Sequence, residues 1–270
     1  MKIYSLLLVK NEADIIASIL KAAAQWSDKV IVMDNGSSDE TWEIVQQLAT
    51  EYPQIIPFAK DDQAFQIGLR AVMFDAFKHE LTASDWWCIR LDADEFFVEN
   101  PRDFLATIPK RYKQVCKASI DYCLTHEDVE EYTFTGDFEQ DKHKIRYYQP
   151  YTWAELRFLR HSKKLQWETG ERRPEPCGLT YPKQIKVLHY QFRSPQQMQQ
   201  RYAVRQQAKA NGCGSFRHEK GNDWKDYLRN RNELVYDKQD GTYQTLGNRN
   251  KFNKWHTRIT KGFLTLFGYY

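Results

Sequence analysis

Trp86-Trp87-Cys88-Ile89-Arg90-Leu91-Asp92-Ala93-Asp94-Glu95-Phe96-Phe97 decides how this 270-residue chain is read, because a hydrophobic run stops abruptly in three acids. Alternate side chains of a strand face the same way, so Asp92 and Asp94 can point together while Ala93 leaves room for a close approach. Two convergent hard oxygen donors suit Mg2+ or Mn2+, ions that keep positions open for water and phosphate oxygens. The same acids also fit a turn before a helix over Asn100-Pro101-Arg102-Asp103-Phe104-Leu105. An EF-hand fits poorly, since Phe97 stands where the calcium loop needs glycine. An aspartyl nucleophile of the phosphatase type is disfavoured by the distance of these acids from the first strand.

Outward from this stretch, strands and helices alternate. Lys2 to Val9 is an apolar run, followed by Lys10-Asn11-Glu12-Ala13-Asp14 and then by Ile15, Ile16, Ile19 and Leu20 at helical spacing. Lys29 to Met33 is a second run, ending in Asp34-Asn35-Gly36-Ser37-Ser38-Asp39 before a helical pattern over Thr41 to Leu48. Ile55 to Ala59 predicts a third strand, Gln66 to Phe77 a helix, and Trp86 to Leu91 a fourth strand. Such alternation predicts an α/β fold with a parallel sheet covered on both faces and a crevice at the carboxyl ends of its strands. Asn11, Asp34 and Asp92 all fall at such ends. There Asp34 can accept from a base N–H or a ribose hydroxyl, Gly36 and Ser37 form a tight turn that a ligand can approach, and Asp39 can cap the next helix. Arg70 is read either as a contact to nucleotide phosphates or as a solvated helix residue.

Taken together, Val9-Lys10-Asn11-Glu12, Asp34-Asn35-Gly36-Ser37-Ser38-Asp39, the Gly68-Leu69-Arg70 region and Leu91-Asp92-Ala93-Asp94-Glu95 resemble the family 2 glycosyltransferases. The resemblance is firm over about the first hundred residues. It implies a GT-A-type, Rossmann-like, mostly parallel sheet flanked by helices. It also implies a nucleotide pocket at Asn11, Glu12 and Asp34, and an Asp-x-Asp signature, Asp92 and Asp94, holding Mn2+ or Mg2+ on the diphosphate of a UDP- or GDP-linked sugar. Val187-Leu188-His189-Tyr190-Gln191-Phe192-Arg193-Ser194-Pro195 is similar to a segment of short bacterial enzymes that build lipopolysaccharide or surface polysaccharide. By that resemblance His189 is a candidate third metal ligand or diphosphate contact, and Arg193 a phosphate contact. Alternatively, His189 is a structural histidine beside Tyr190 and Arg193 pairs with an acid.

Inverting transfer needs a carboxylate to take the acceptor's hydroxyl proton. Glu171, and after it Glu168, are the candidates in Trp167-Glu168-Thr169-Gly170-Glu171-Arg172-Arg173-Pro174, although either can equally be a surface acid paired with Arg172 or Arg173. Tyr147, Tyr148, Tyr151, Trp153 and Trp167 make the middle segment aromatic, suited to core packing and, at one or two positions, to stacking on sugar rings.

With 41% hydrophobic residues the chain can bury a full core. The expected division is a catalytic domain over 1–200, with a nucleotide-sugar and metal half (1–100) and an acceptor half (101–200), followed by a helical basic C-terminal extension over 201–270. No segment reads as a membrane span or a signal peptide, and Cys88, Cys116, Cys123, Cys177 and Cys213 read as reduced thiols, so a cytoplasmic protein is expected. Arg201 to Tyr270 carries 14 Lys or Arg against 6 Asp or Glu, whereas the first 200 residues carry 25 against 30. Lys251 to Tyr270 mixes basic and large apolar residues. It reads either as a helix packed on the domain or as one lying on an anionic membrane surface at the inner face of the cell membrane. Nucleic acid is not an expected partner, for lack of a reading motif. Glu127 to Lys144 reads as a loop or flap, Gln196 to Gln207 as helix, and Asn211-Gly212-Cys213-Gly214-Ser215 as a break. A nucleotidyltransferase would show a glycine-rich loop after the first strand, which Lys10-Asn11-Glu12-Ala13-Asp14 is not. A non-catalytic module that binds sugar nucleotides on the same fold is the other alternative.

Overall fold

Ile3–Val9 form strand β1 with every residue buried, the mark of a strand covered on both faces. The computed structural model describes residues 1–62, 68–150, 154–210, 223–245 and 254–270. Gln66, Tyr151, Trp153, the segment 211–215 with Cys213, and Lys251 lie outside the described residues.

After β1 come α1 (Ile16–Ala24), β2 (Lys29–Asp34), α2 (Thr41–Glu51), β3 (Ile55–Lys60), α3 (Leu69–Phe77), β4 (Trp86–Leu91), β5 (Glu95–Phe97) and α4 (Pro101–Ala106). There follow β6 (Tyr112–Cys123), α5 (His126–Glu131), α6 (Phe138–Asp141), β7 (Tyr147–Pro150), β8 (Glu155–Arg160), β9 (Leu179–Thr180), β10 (Ile185–His189), α7 (Pro195–Ala210), β11 (Val235–Tyr236) and α8 (Trp255–Leu266). These form two compact units, one of residues 1–119, 152–187 and 247–270, the other of 120–151 and 188–246.

In the first unit the strands run β3-β2-β1-β4, all parallel. Strand order reverses between β1 and β4, which makes their carboxyl ends the place for a ligand. Register aligns those ends, with Val9 opposite Asp34 and Leu7 opposite Leu91. The first half is therefore the α/β, Rossmann-like sheet expected. Past β4 the sheet turns antiparallel, through β8 and then the start of β6. One face of the sheet is packed by α3, where Phe74 lies 4.8 Å from Trp87 and 5.8 Å from Trp167 between ring centres. Trp167 is thus a core residue, and burying each such ring contributes about 1.5–3 kcal/mol. Asn100 caps α4 by accepting the Arg102 N–H at 2.9 Å.

In the second unit, the end of β6 pairs with β7 and β7 with β11, both antiparallel. Tyr122 stacks on Tyr190 at 4.4 Å and donates to Asp237 Oδ2 at 2.7 Å. The expected loop over Glu127 to Lys144 is instead largely helical. Its acids serve as caps: Thr125 and Asp128 form a capping box for α5, Asp137 caps α6, and Asp141 accepts the N–H groups of Thr135 and Gly136 at 2.9 Å each. The helical tail is present as α8 in the first unit. Cys88, Cys116, Cys123 and Cys177 are free thiols, and burial pushes Cys88 and Cys177 up to about 12. Among the described residues no helix is long and apolar enough to cross a membrane.

Candidate active site

The loops after β1 and β2 are knitted together. Asn11 adopts a left-handed backbone with φ 54°, which Asn tolerates better than most residues. It donates its N–H to Ser37 Oγ at 2.9 Å and accepts the Ser38 N–H on Oδ1 at 2.8 Å. Glu12 N–H donates to Thr41 Oγ1 at 2.9 Å, and Ala13 N–H to Asp39 Oδ2 at 3.2 Å. Asp39 also accepts the Thr41 N–H at 3.1 Å and so steadies the start of α2. Gly36 has φ 73°, and a Cβ there would lie 3.0 Å from Asp62 Cα, so both backbone and space call for glycine.

Asp34 is fully buried at the end of β2. Its Oδ1 accepts the Ser37 N–H at 2.6 Å, while among the described residues nothing donates to its buried Oδ2. A buried acceptor left unmatched costs about 1–3 kcal/mol, so a ligand N–H or O–H reaching that oxygen gains a charge-assisted bond.

β4 ends at Leu91, and Asp92 to Asp94 form a turn closed by the Glu95 N–H on the Asp92 carbonyl at 3.2 Å. The strand alternation expected to align Asp92 with Asp94 is therefore replaced by turn geometry. Asp92 accepts from Arg90 Nε at 2.8 Å, Arg70 Nη2 at 3.1 Å and Arg157 Nη2 at 3.2 Å. Burial favours its neutral form, yet Arg90, Arg157 and Arg70 hold its carboxyl well below the usual carboxylate range. Arg70 is itself lowered to about 10 by burial, which Asp92 partly opposes. Arg157 is fully buried and also donates to Glu95 at 2.7 Å and pairs with Glu155 at 3.2 Å. Burial disfavours its charge, but Glu95, Glu155 and Asp92 more than offset this and raise its pKa. Lys117 closes the network on Glu95. Arg70 Nε and Arg157 Nη1 are buried without an acceptor among the described residues, so the cluster retains donors suited to phosphate oxygens. Asp94, 7% exposed, flanks it in the same turn.

Glu168 and Glu171 are exposed on a turn that lies against the start of α3. A Cβ on Gly68 would fall 1.5 Å from the Thr169 carbonyl oxygen, so the absence of a side chain is what allows the turn to sit against the start of α3. Trp167 anchors it by donating Nε1 to the Glu171 carbonyl at 3.0 Å. His189 and Arg193 belong to the second unit. His189 Nδ1 is 2.8 Å from Asp121 Oδ1, and buried Arg193 donates to the Tyr190 carbonyl at 3.2 Å. Among the described residues no three His, Cys, Asp or Glu side chains gather into a metal-binding group.

Arg90, Arg157, Glu155 and Lys117 were not singled out from sequence. Their signal was available: Glu155-Leu156-Arg157-Phe158-Leu159-Arg160 and Val115-Cys116-Lys117-Ala118-Ser119-Ile120 put charge inside otherwise apolar strands, where it must find a partner.

A sequence model described as Glycosyl transferase family 2 matches residues 6–169. No curated protein matches the chain. Among solved structures, the mannosyltransferase PcManGT from Pyrobaculum calidifontis, in complex with GDP-Man and Mn2+, aligns with TM-score 0.30 and 18% identity, over 46% of this chain and 36% of that one. HddC from Yersinia pseudotuberculosis aligns with TM-score 0.28 and 8% identity, over 58% of this chain and 73% of that one.

Proposed function

The chain belongs to glycosyl transferase family 2, and from that premise we propose that it moves a sugar from a UDP- or GDP-linked donor to a glycan or glycolipid acceptor, with inversion, in bacterial surface polysaccharide or lipopolysaccharide synthesis. In this reading residues 1–200 carry the catalysis and 201–270 form the extension. The observation that carries it is Asp34, whose buried Oδ2 at the carboxyl end of β2 has no donor among the described residues, beside the Asn11 and Glu12 loop and in register with the end of β1.

The base and ribose of the donor lie against Asn11, Glu12, Asp34, Gly36 and Ser37. The diphosphate lies toward the turn after β4, where Arg70 and Arg157 hold Asp92. Asp92 and Asp94 supply the carboxylate-type oxygens that Mn2+ or Mg2+ takes in a site completed by phosphate oxygens. Asp94 and Asp92 would hold the ion. The ion's chemistry there is neutralisation of the departing diphosphate. Glu171, or Glu168 beside it, takes the acceptor's hydroxyl proton as that oxygen bonds to the anomeric carbon. The bond from that carbon to the diphosphate breaks, and its electron pair leaves with the nucleoside diphosphate.

Asp34→Asn tests the donor pocket. The amide keeps an oxygen for the Ser37 N–H and replaces the free acceptor with a donor, so calorimetry should show sugar-nucleotide affinity falling about ten- to a hundredfold with little change in melting temperature. Unaltered affinity would reject the pocket. Glu171→Gln should slow transfer by about 10²- to 10⁴-fold while donor binding persists. If Glu168→Gln does so instead, the base is Glu168, and full activity in both variants rejects this turn as its source.

A further inference from the structure

Residues 241–270 contain five basic side chains, Arg249, Lys251, Lys254, Arg258 and Lys261, and no Asp or Glu. Within this acid-free segment, α8 faces the opposite way from an ordinary packing helix. Its polar side meets the first unit: Lys261 Nζ donates to the carbonyls of Cys177 and Gly178 at 2.9 and 3.1 Å. Its apolar side faces outward. Trp255, Ile259 and Phe263, spaced one helical turn apart, are 74%, 51% and 59% exposed, and Phe267 continues the line at 83%. Exposed Lys254 and Arg258 flank the stripe.

A continuous outward row of large apolar residues marks an interaction surface. Aromatic residues beside cations, on a helix too short and polar to cross a bilayer, suit the boundary between lipid headgroups and acyl chains. The charge pattern selects among occupants. A second copy of this chain docking face to face would bring two acid-free basic segments together, which is repulsive. An anionic surface meets the same charges favourably, by about fivefold in affinity for each basic residue near it.

We propose that α8 docks flat on an anionic phospholipid bilayer, with Trp255, Ile259, Phe263 and Phe267 entering the headgroup boundary and Lys254 and Arg258 resting on lipid phosphates. This contact needs neither donor nor acceptor, so it stands or falls apart from the transfer reading. If both hold, the docked helix brings the first unit to lipid-linked acceptors.

The test uses the full chain and vesicles of phosphatidylcholine with or without phosphatidylglycerol. Wild type should co-sediment with the anionic vesicles at least about tenfold more strongly than with the neutral ones, and less so in high salt. Phe263→Ser/Phe267→Ser and Lys254→Glu/Arg258→Glu should each lower that binding about tenfold or more, with unchanged circular dichroism, because all four side chains are solvent-exposed. Brominated lipids should quench tryptophan fluorescence in wild type but much less in Trp255→Phe. Equal partitioning of wild type and the serine variant overturns the proposal. So does loss on charge reversal alone, which would indicate a purely ionic contact of the kind nucleic acid makes, or concentration-dependent self-association abolished by the serine changes.

Discussion

Asp94→Asn is expected to abolish sugar transfer, by about a thousandfold or more, while melting within a few degrees of wild type. The amide keeps the shape of the turn between β4 and β5 and removes only the negative charge that a divalent ion or its diphosphate complex requires. Asp92→Asn should lose transfer as well, but with a distinct second effect. Its carboxylate sits among Arg90, Arg70 and Arg157, so a neutral amide leaves three guanidinium groups less compensated and costs roughly 2–3 kcal/mol of stability. Single-turnover release of nucleoside diphosphate, read beside thermal melts and calorimetry with and without Mn2+, separates the two. Near wild-type turnover in Asp94→Asn would remove the metal assignment. Because Asp92 is held below the usual carboxylate range, it stays ionised throughout the neutral range. An acid limb in the rate profile therefore belongs to another group.

The parallel half of the sheet was legible because its signals are local. Each of the first four strands is an apolar run ended by polar residues, and the structure places them at Ile3–Val9, Lys29–Asp34, Ile55–Lys60 and Trp86–Leu91, within a residue or so of the sequence reading. The nucleotide loop was legible for the same reason, since Asn11, Asp34, Gly36 and Ser37 follow directly on those runs. The antiparallel strands were not. β6 and β8 mix charged and apolar residues because Lys117 of β6 meets Glu155 of β8 and Arg157 of β8 meets Glu95 of β5, pairings that periodicity within any one segment does not reveal. The fourth strand ends at Leu91 as read, and only the strand alternation invoked to align Asp92 with Asp94 fails, because a turn follows directly. The acids of 127–141 read as loop because capping residues and loop residues are the same types. In α8 the sequence supplies an amphipathic helix, but only coordinates tell which face is turned outward.

Arg157→Met should destabilise the protein by about 3–5 kcal/mol, a fall in Tm on the order of 10 °C. No part of the Arg157 side chain reaches solvent. Its guanidinium serves Glu95 through Nε at 3.0 Å and Nη2 at 2.7 Å, and reaches Asp92 and Glu155 at 3.2 Å each. Methionine fills the space but strands three carboxylates beside fewer cations. Arg157→Lys restores the charge without the planar fork and should recover only part of the loss. A pH series checks the cause. In wild type, burial works against ionisation of Asp92 and Glu155, but Arg157 is among the cations that hold both below the ordinary range. Their stabilising contribution is therefore present above about pH 4 and is lost as pH falls through the folded-state values. Without Arg157 these acids become easier to protonate in the folded state, so the deficit relative to wild type should be full at neutrality and shrink as pH falls below about 4. A deficit that does not change with pH would mean that Arg157→Met acts through packing. Equal melting of variant and wild type would mean that the network is not formed in solution. Donor affinity should fall in parallel with stability, since Arg157 and Arg70 jointly hold Asp92 at the carboxyl end of β4, where the diphosphate is placed.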